Sequence, residues 1–210
     1  MRSKLRSPLA LAGLGAVLVL GGCNNNPLLV QRSPCPAVAV PTYSGDVTLF
    51  TPGTQPDAAN IDIIATITDI RDTCTESDSI LTTTVTYDVL ARRNDTAGAR
   101  TVSFPVFATI VQGGNLIVSK QVGAVRVDFA DGQARATGKG TARADVARSA
   151  TQLPEDIQKQ ITKKRKPGDL DAANDPMADP KVKAALKAVS FELLVGFQLS
   201  DTALAYNIAK

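Results

Sequence analysis

The alternation of apolar and polar positions is clearest in "ILTTTVTYDVLARR", residues 80–93. Leu81, Thr83, Val85, Tyr87, Val89 and Ala91 fall on one face, and Thr82, Thr84, Thr86 and Asp88 on the other. A period of two with one polar face predicts a half-buried antiparallel strand. Similar runs, rich in β-branched residues, begin at Thr48 ("TLF"), Ile61 ("IDIIATITDI"), Thr101 ("TVSFPVFATIV"), Leu116 ("LIVSKQVGAVRVDF") and Gln133 ("QARATGKGTARADV"). Turn residues separate them: a loop over 94–98, Gly113-Gly114-Asn115, and Asp131-Gly132, a two-residue hairpin signal. Pro105 cannot donate to a ladder and predicts an edge strand or a bulge, and Gly138 and Gly140 weaken the strand that holds them.

Beyond residue 154 the pattern changes. "PEDIQKQITKKRK" opens with Pro154, Glu155 and Asp156 and closes on Lys163, Lys164, Arg165 and Lys166, the charge order that a helix dipole favours, and Pro167-Gly168 stops it. An acidic loop follows, and Asp179-Pro180 caps and starts a second short helix through Lys187. "VSFELLVGFQL" then returns as a strand with Phe191, Leu193, Val195 and Phe197 on one face, and Ser200 caps a last helical turn. About seven strands at this spacing predict a mainly β chain, an immunoglobulin- or fibronectin-like antiparallel β-sandwich, with a short helical insertion at about 154–188 before the last strand. The long crossovers of a parallel α/β sheet are missing.

The first residues follow another rule. Arg2, Lys4 and Arg6 precede an apolar and glycine run over 9–22. Those fourteen residues would span only about 21 Å as a helix, short of a bilayer core of about 30 Å, so the layout is that of a removable signal peptide. Leu20, Gly21, Gly22 and Cys23 resemble the lipobox of bacterial lipoproteins. The resemblance implies cleavage after residue 22 and a diacylglyceryl thioether on Cys23, so that residues 1–22 are a leader and 23–34 a lipidated tether. Residues 35–210 are then one domain carrying the insertion. Acyl chains contribute about 0.8 kcal/mol per buried CH₂, which makes such an anchor stable. Asn24 is not the aspartate that favours inner-membrane retention in enteric lipoproteins, and this points to the outer membrane facing the periplasm, with the inner membrane and the cell surface left open.

With Cys23 assigned to lipid, Cys35 and Cys74 remain, an even number in an oxidising compartment, and they are expected to form a disulfide. "CPAVAV" after the tether, Cys74, "SFPVFATIV" and "FELLVGFQLSDTALAYN" together resemble a group of alphaproteobacterial envelope lipoproteins. That resemblance supports fold and address and brings no activity with it.

Composition narrows the function classes. Removal of the leader takes three basic residues and leaves twenty basic against twenty acidic, so the formal charge of +3 belongs to the precursor. A neutral chain poor in aromatic residues does not suit nucleic acid. The chain has no histidine, which removes the commonest general base, the Ser-His and Cys-His pairings and most zinc sites, so neither catalysis nor a cofactor is expected. Asp169, Asp171, Asp175 and Asp179 lack the spacing, glycine and final glutamate of a helix-loop-helix calcium site. The carboxylates around Cys74 (Asp69, Asp72, Glu76 and Asp78) read as solvated loop residues. Lys159, Lys163, Lys164, Arg165 and Lys166 form the main candidate for contact with an anionic partner, the alternative being a solvated helix end. Two readings follow: a non-catalytic module that binds another envelope protein, or a carrier of lipid, glycan or another small molecule. A filled core with an exposed apolar patch favours the first; an interior hollow above about 300 Å³ favours the second.

Overall fold

The structure, a computed structural model, describes residues 33–164, 168 and 173–209. The expected leader and Cys23 lie outside the described residues, as do Arg165, Lys166, Asp169 and Asp171.

Eight strands occur among the described residues: β1 (Ala37–Ala39), β2 (Asp46–Phe50), β3 (Ile61–Glu76), β4 (Ile80–Arg93), β5 (Arg100–Gln112), β6 (Leu116–Phe129), β7 (Arg135–Ala147) and β8 (Phe191–Phe197). They form two four-stranded sheets, β1-β8-β5-β6 and β2-β3-β4-β7. All pairings are antiparallel except β1 with β8, which is parallel. One buried cluster joins the two inner faces. Ile63, Ala65, Val85, Tyr87 and Val89 come from the second sheet, and Phe104, Val127, Leu193, Val195 and Phe197 from the first. The alternation read in β4 is therefore the alternation of core and solvent, with Leu81, Thr83, Val85, Tyr87, Val89 and Ala91 all buried. Burial pushes the Tyr87 phenol above its ordinary pKa.

β3 runs six residues further than the apolar pattern indicates, because a bulge interrupts it. Thr68 pairs with Asp88 and Arg71 with Thr86, so Asp69 and Ile70 together face Tyr87, and Asp69 takes a left-handed φ of 50°. An extra residue inverts the parity of the strand. Ile63, Ala65 and Ile67 point inward before the bulge. After it, Cys74 stands opposite the inward Thr83.

Two turn readings change. Pro105 lies on β5, an interior strand flanked by β8 and β6, and its register with β6 is regular there. The Pro105 carbonyl accepts from Gln198 N just past the end of β8, whose ladder with β5 begins at Val106 and Phe197. The missing N–H therefore faces Gln198 at the very end of the β5–β8 pairing, where the lack of one donor does not interrupt the ladder. Asp131-Gly132 is a turn, with φ 74° at Gly132, yet it joins β6 of one sheet to β7 of the other and is not a hairpin. Small inward residues on β7 permit the crossing: a Cβ at Gly138 would stand 2.9 Å from Val125 and Val127 side-chain carbons and would also meet the Arg126 carbonyl, and Gly140 lies directly against the Tyr87 ring. These glycines are required by close approach.

The helical insertion stands where the sequence places it. α1 (Glu155–Thr162) and α2 (Pro180–Ala188) precede β8, and α3 (Asp201–Ala209) follows it. Asp179 caps α2 through Lys181 N at 2.8 Å, and Ser200 Oγ accepts from Ala203 N at 3.2 Å at the start of α3. α1 ends at Thr162, before the run of cations, and Lys163 has already left the helical conformation. Ile157 and Val182 are buried but stand outside the main inter-sheet cluster. Gln112 Nε2 donates to the Ala188 carbonyl at 2.7 Å, joining the insertion to the end of β5.

Candidate functional site

In the described part of the basic cluster, Lys159, Lys163 and Lys164, the first two stand among acidic side chains. Lys159 pairs with Glu155 one turn earlier, Nζ to Oε1 2.6 Å, on the exposed face of α1. Lys163 and Lys164 are exposed beyond the helix end. Beside them lies an open cleft of about 790 Å³ whose walls alternate in sign, with Lys159 and Lys163 against Asp156, Asp175 and Asp179. The Gln160 amide and the N–H of Lys181 hold the Asp179 carboxyl below its ordinary pKa. Mixed charge of this kind does not concentrate an anion.

Cys35 and Cys74 form a disulfide, with Cα atoms 6.3 Å apart and a sequence separation of 39. Cys35 leads into β1, an edge of the first sheet, and Cys74 lies on β3 beyond the reach of β2, where that strand is an edge of the second. The bridge therefore fastens one side of the sandwich. Next to it, Arg71 pairs with Asp69 at 2.7 Å and Arg148 with Glu76 at 3.2 Å. Among the described residues no group of carboxylates and cysteines is placed to hold a metal ion.

A residue that sequence reasoning passed over closes the other end. Arg93 is 2% exposed and has no carboxylate partner among the described residues. Its Nε donates to the Gln133 carbonyl and its Nη2 to the Thr96 and Ala130 carbonyls, all at 2.8 Å, while its guanidinium carbon lies 5.1 Å from the Phe129 ring centroid. It thereby ties the loop after β4 to the β6–β7 crossing. The signal was its parity: Arg93 continues the inward series of Val89 and Ala91. Asn207 plays a similar part on α3, where its amide donates to the Tyr43 and Asp46 carbonyls at 2.9 and 2.8 Å.

The feature open to a partner is β6. Among the described residues it pairs with β5 alone, and the other edge of its first half is free. Its second half is buried at Val125, Val127 and Phe129, but in its first half Leu116, Ile117, Val118 and Val122 are 53–63% exposed. Lys120 is the one charge between Leu116 and Val125, and its ammonium lies 5.3 Å from the centroid of the Phe107 ring. Natural edges carry charge, prolines or bulges that deter pairing, as β3 does with its bulge, its ion pairs and its disulfide. The first half of β6 has one lysine and a single irregularity at Val118, where Ile110 pairs with Ser119 and Val111 with Ile117.

No family model, curated protein or solved structure matches the chain. What the surfaces can do therefore rests on their own chemistry. Among the described residues no helix is long and apolar enough to cross a membrane.

Proposed function

We propose that the chain is a lipid-anchored protein of the cell envelope, held through Cys23 after removal of residues 1–22, whose non-catalytic domain binds another envelope protein by strand addition at β6. The observation that carries the binding reading is the free, aliphatic, nearly uncharged first half of that edge strand. An added strand would satisfy the outward N–H and C=O groups of β6, and its apolar side chains would cover Ile117 and Val122, which share a face with Lys120. The partner segment is extended and apolar, with an acidic residue for Lys120.

Several features support the address. They are the basic and apolar first residues, the likeness to a lipobox, and a disulfide, which persists in oxidising compartments. The tether of eleven residues over 24–34 would let the domain stand up to about 37 Å from the anchor, on the periplasmic face of the outer membrane. The immunoglobulin- or fibronectin-like description belongs to the same proposal. Two packed, mainly antiparallel sheets with crossings between them support it, although here the last strand pairs with β5 and in parallel with β1, and β7 pairs with β4. A carrier would need interior space, and Phe104, Phe197, Ile63 and Leu193 fill the region between the sheets at 0–2% exposure.

Two variants test the parts separately. Cys23→Ser is expected to leave the chain without an acyl mass and unprocessed or soluble; wild-type protein with no acyl mass on Cys23 by mass spectrometry would refute the anchor. Val118→Asp with Val122→Asp is expected to shift stability by under about 0.5 kcal/mol per site, since both side chains are mainly exposed, while abolishing the adduct seen by cross-linking in intact cells. An unchanged adduct would count against strand addition.

A further inference from the structure

The outer face of the β2-β3-β4-β7 sheet is ruled in cross-strand rows. Thr75, Thr82 and Asp145 share one row, Thr68, Asp88 and Lys139 another, Thr66, Leu90 and Thr137 the next, and Ile64, Arg92 and Arg135 the last. Charges on this face are paired almost throughout. Arg143 bonds Asp145 at 2.9 Å and, with the Thr82 hydroxyl, holds that carboxyl below its ordinary pKa. Lys139 pairs with Asp88 at 3.1 Å, and Arg100 grips Asp62 through two bonds of 2.8 and 2.7 Å.

The last row breaks the pattern. Arg92 and Arg135 are direct cross-strand partners, both exposed, and among the described residues neither side chain makes an ion pair or hydrogen bond. Directly opposed residues hold their Cβ atoms about 4.5–5.5 Å apart, and like charges so placed destabilise a sheet. Asp62 and Asp88, carboxylates of this sheet, are engaged by Arg100 and Lys139. Beside the two guanidiniums runs an open groove of about 310 Å³ floored by Ile64 and Leu90, the latter 47% exposed. Two planar forks side by side suit one phosphate, which each can engage through paired N–H donors, and the groove beside them is aliphatic.

We infer that Arg92 and Arg135 bind the phosphate of a phosphomonoester whose apolar substituent lies along Ile64 and Leu90. The site is distinct from the anchor and from β6, and it stands whether or not the reading of either holds. The ligand supplies the negative charge that the row lacks, so the arginine pair is relieved only when the site is filled. The apolar floor distinguishes an alkyl phosphate from the free anion.

Titration calorimetry of the full chain with hexyl phosphate, inorganic phosphate and hexanol tests this. Hexyl phosphate is expected to bind at least tenfold more tightly than inorganic phosphate, and hexanol not at all. Arg135→Gln is expected to weaken hexyl phosphate at least tenfold while leaving the unliganded melting temperature at low salt equal to or above that of the wild type. Leu90→Ser should remove the preference for the alkyl ester and keep phosphate binding. Equal affinity of wild type and Arg135→Gln, equal affinity for the two phosphates, or absence of hexyl phosphate binding at millimolar concentration would each overturn the inference.

Discussion

Replacing Arg93 by alanine is expected to destabilise the domain by at least about 3 kcal/mol. Three carbonyls, those of Thr96, Ala130 and Gln133, accept from this one guanidinium. A hydrogen bond from a charged donor contributes about 1.5–3 kcal/mol; the Thr96 and Ala130 carbonyls keep backbone donors from Gly132 and Gln133, while the Gln133 carbonyl loses its partner. Water reaching the corner would offset part of this, but the lost contact with Phe129 adds to it. Against a total stability of about 5–15 kcal/mol, the loss is a large fraction. For a domain of this size it corresponds to a fall in melting temperature of roughly 6–12 °C. Arg93→Met keeps the aliphatic stem and should recover only about 1 kcal/mol, because the donors, not the packing, hold the crossing. Urea unfolding measures both. A cost below about 1 kcal/mol for the alanine variant would mean that the corner closes without its arginine.

The second large effect is expected from the disulfide. Cross-linking residues 39 apart restricts the unfolded chain by about 4 kcal/mol on the chain-entropy treatment. The folded state also depends on it locally, since β1 pairs with β8 over only three residues and Cys35 lies two residues before that pairing. The paired substitution Cys35→Ser with Cys74→Ser should therefore lower the urea midpoint strongly. It should also open the segment before β1 to proteolysis while the inter-sheet cluster persists. Peptide mapping should find both cysteines alkylated only after reduction. Coincident unfolding curves for oxidised and reduced protein would contradict the assigned role.

What could be read from the sequence was what repeats locally. The inward series of β4, the caps at Asp179 and Ser200, and the Phe191–Phe197 strand were all visible, because each depends on neighbours within a few residues. What could not be read depends on which strands become neighbours. Asp131-Gly132 bends the chain equally well within a sheet or between two, and the choice is made by Gly138 passing close to Arg126. Pro105 looked costly because the end of β8 was not known to lie beside it. The surfaces follow the same division. The pairing of Lys159 with Glu155 is an i, i+4 relation and was available in advance. The opposition of Arg92 to Arg135 is a matter of register, and the exposure of β6 is a matter of what the other sheet fails to cover.

Amide hydrogen exchange over residues 116–124 tests the proposed strand addition most directly, measured on the purified protein and on the same protein in its native envelope. Strand addition engages backbone groups, which a partner gripping side chains alone would leave open. Pairing predicts that the outward amides of β6, exchanging freely in the purified protein, become protected in the envelope on alternate residues, with those bonded to β5 little changed. Identical exchange in the two states would contradict a partner strand at this edge.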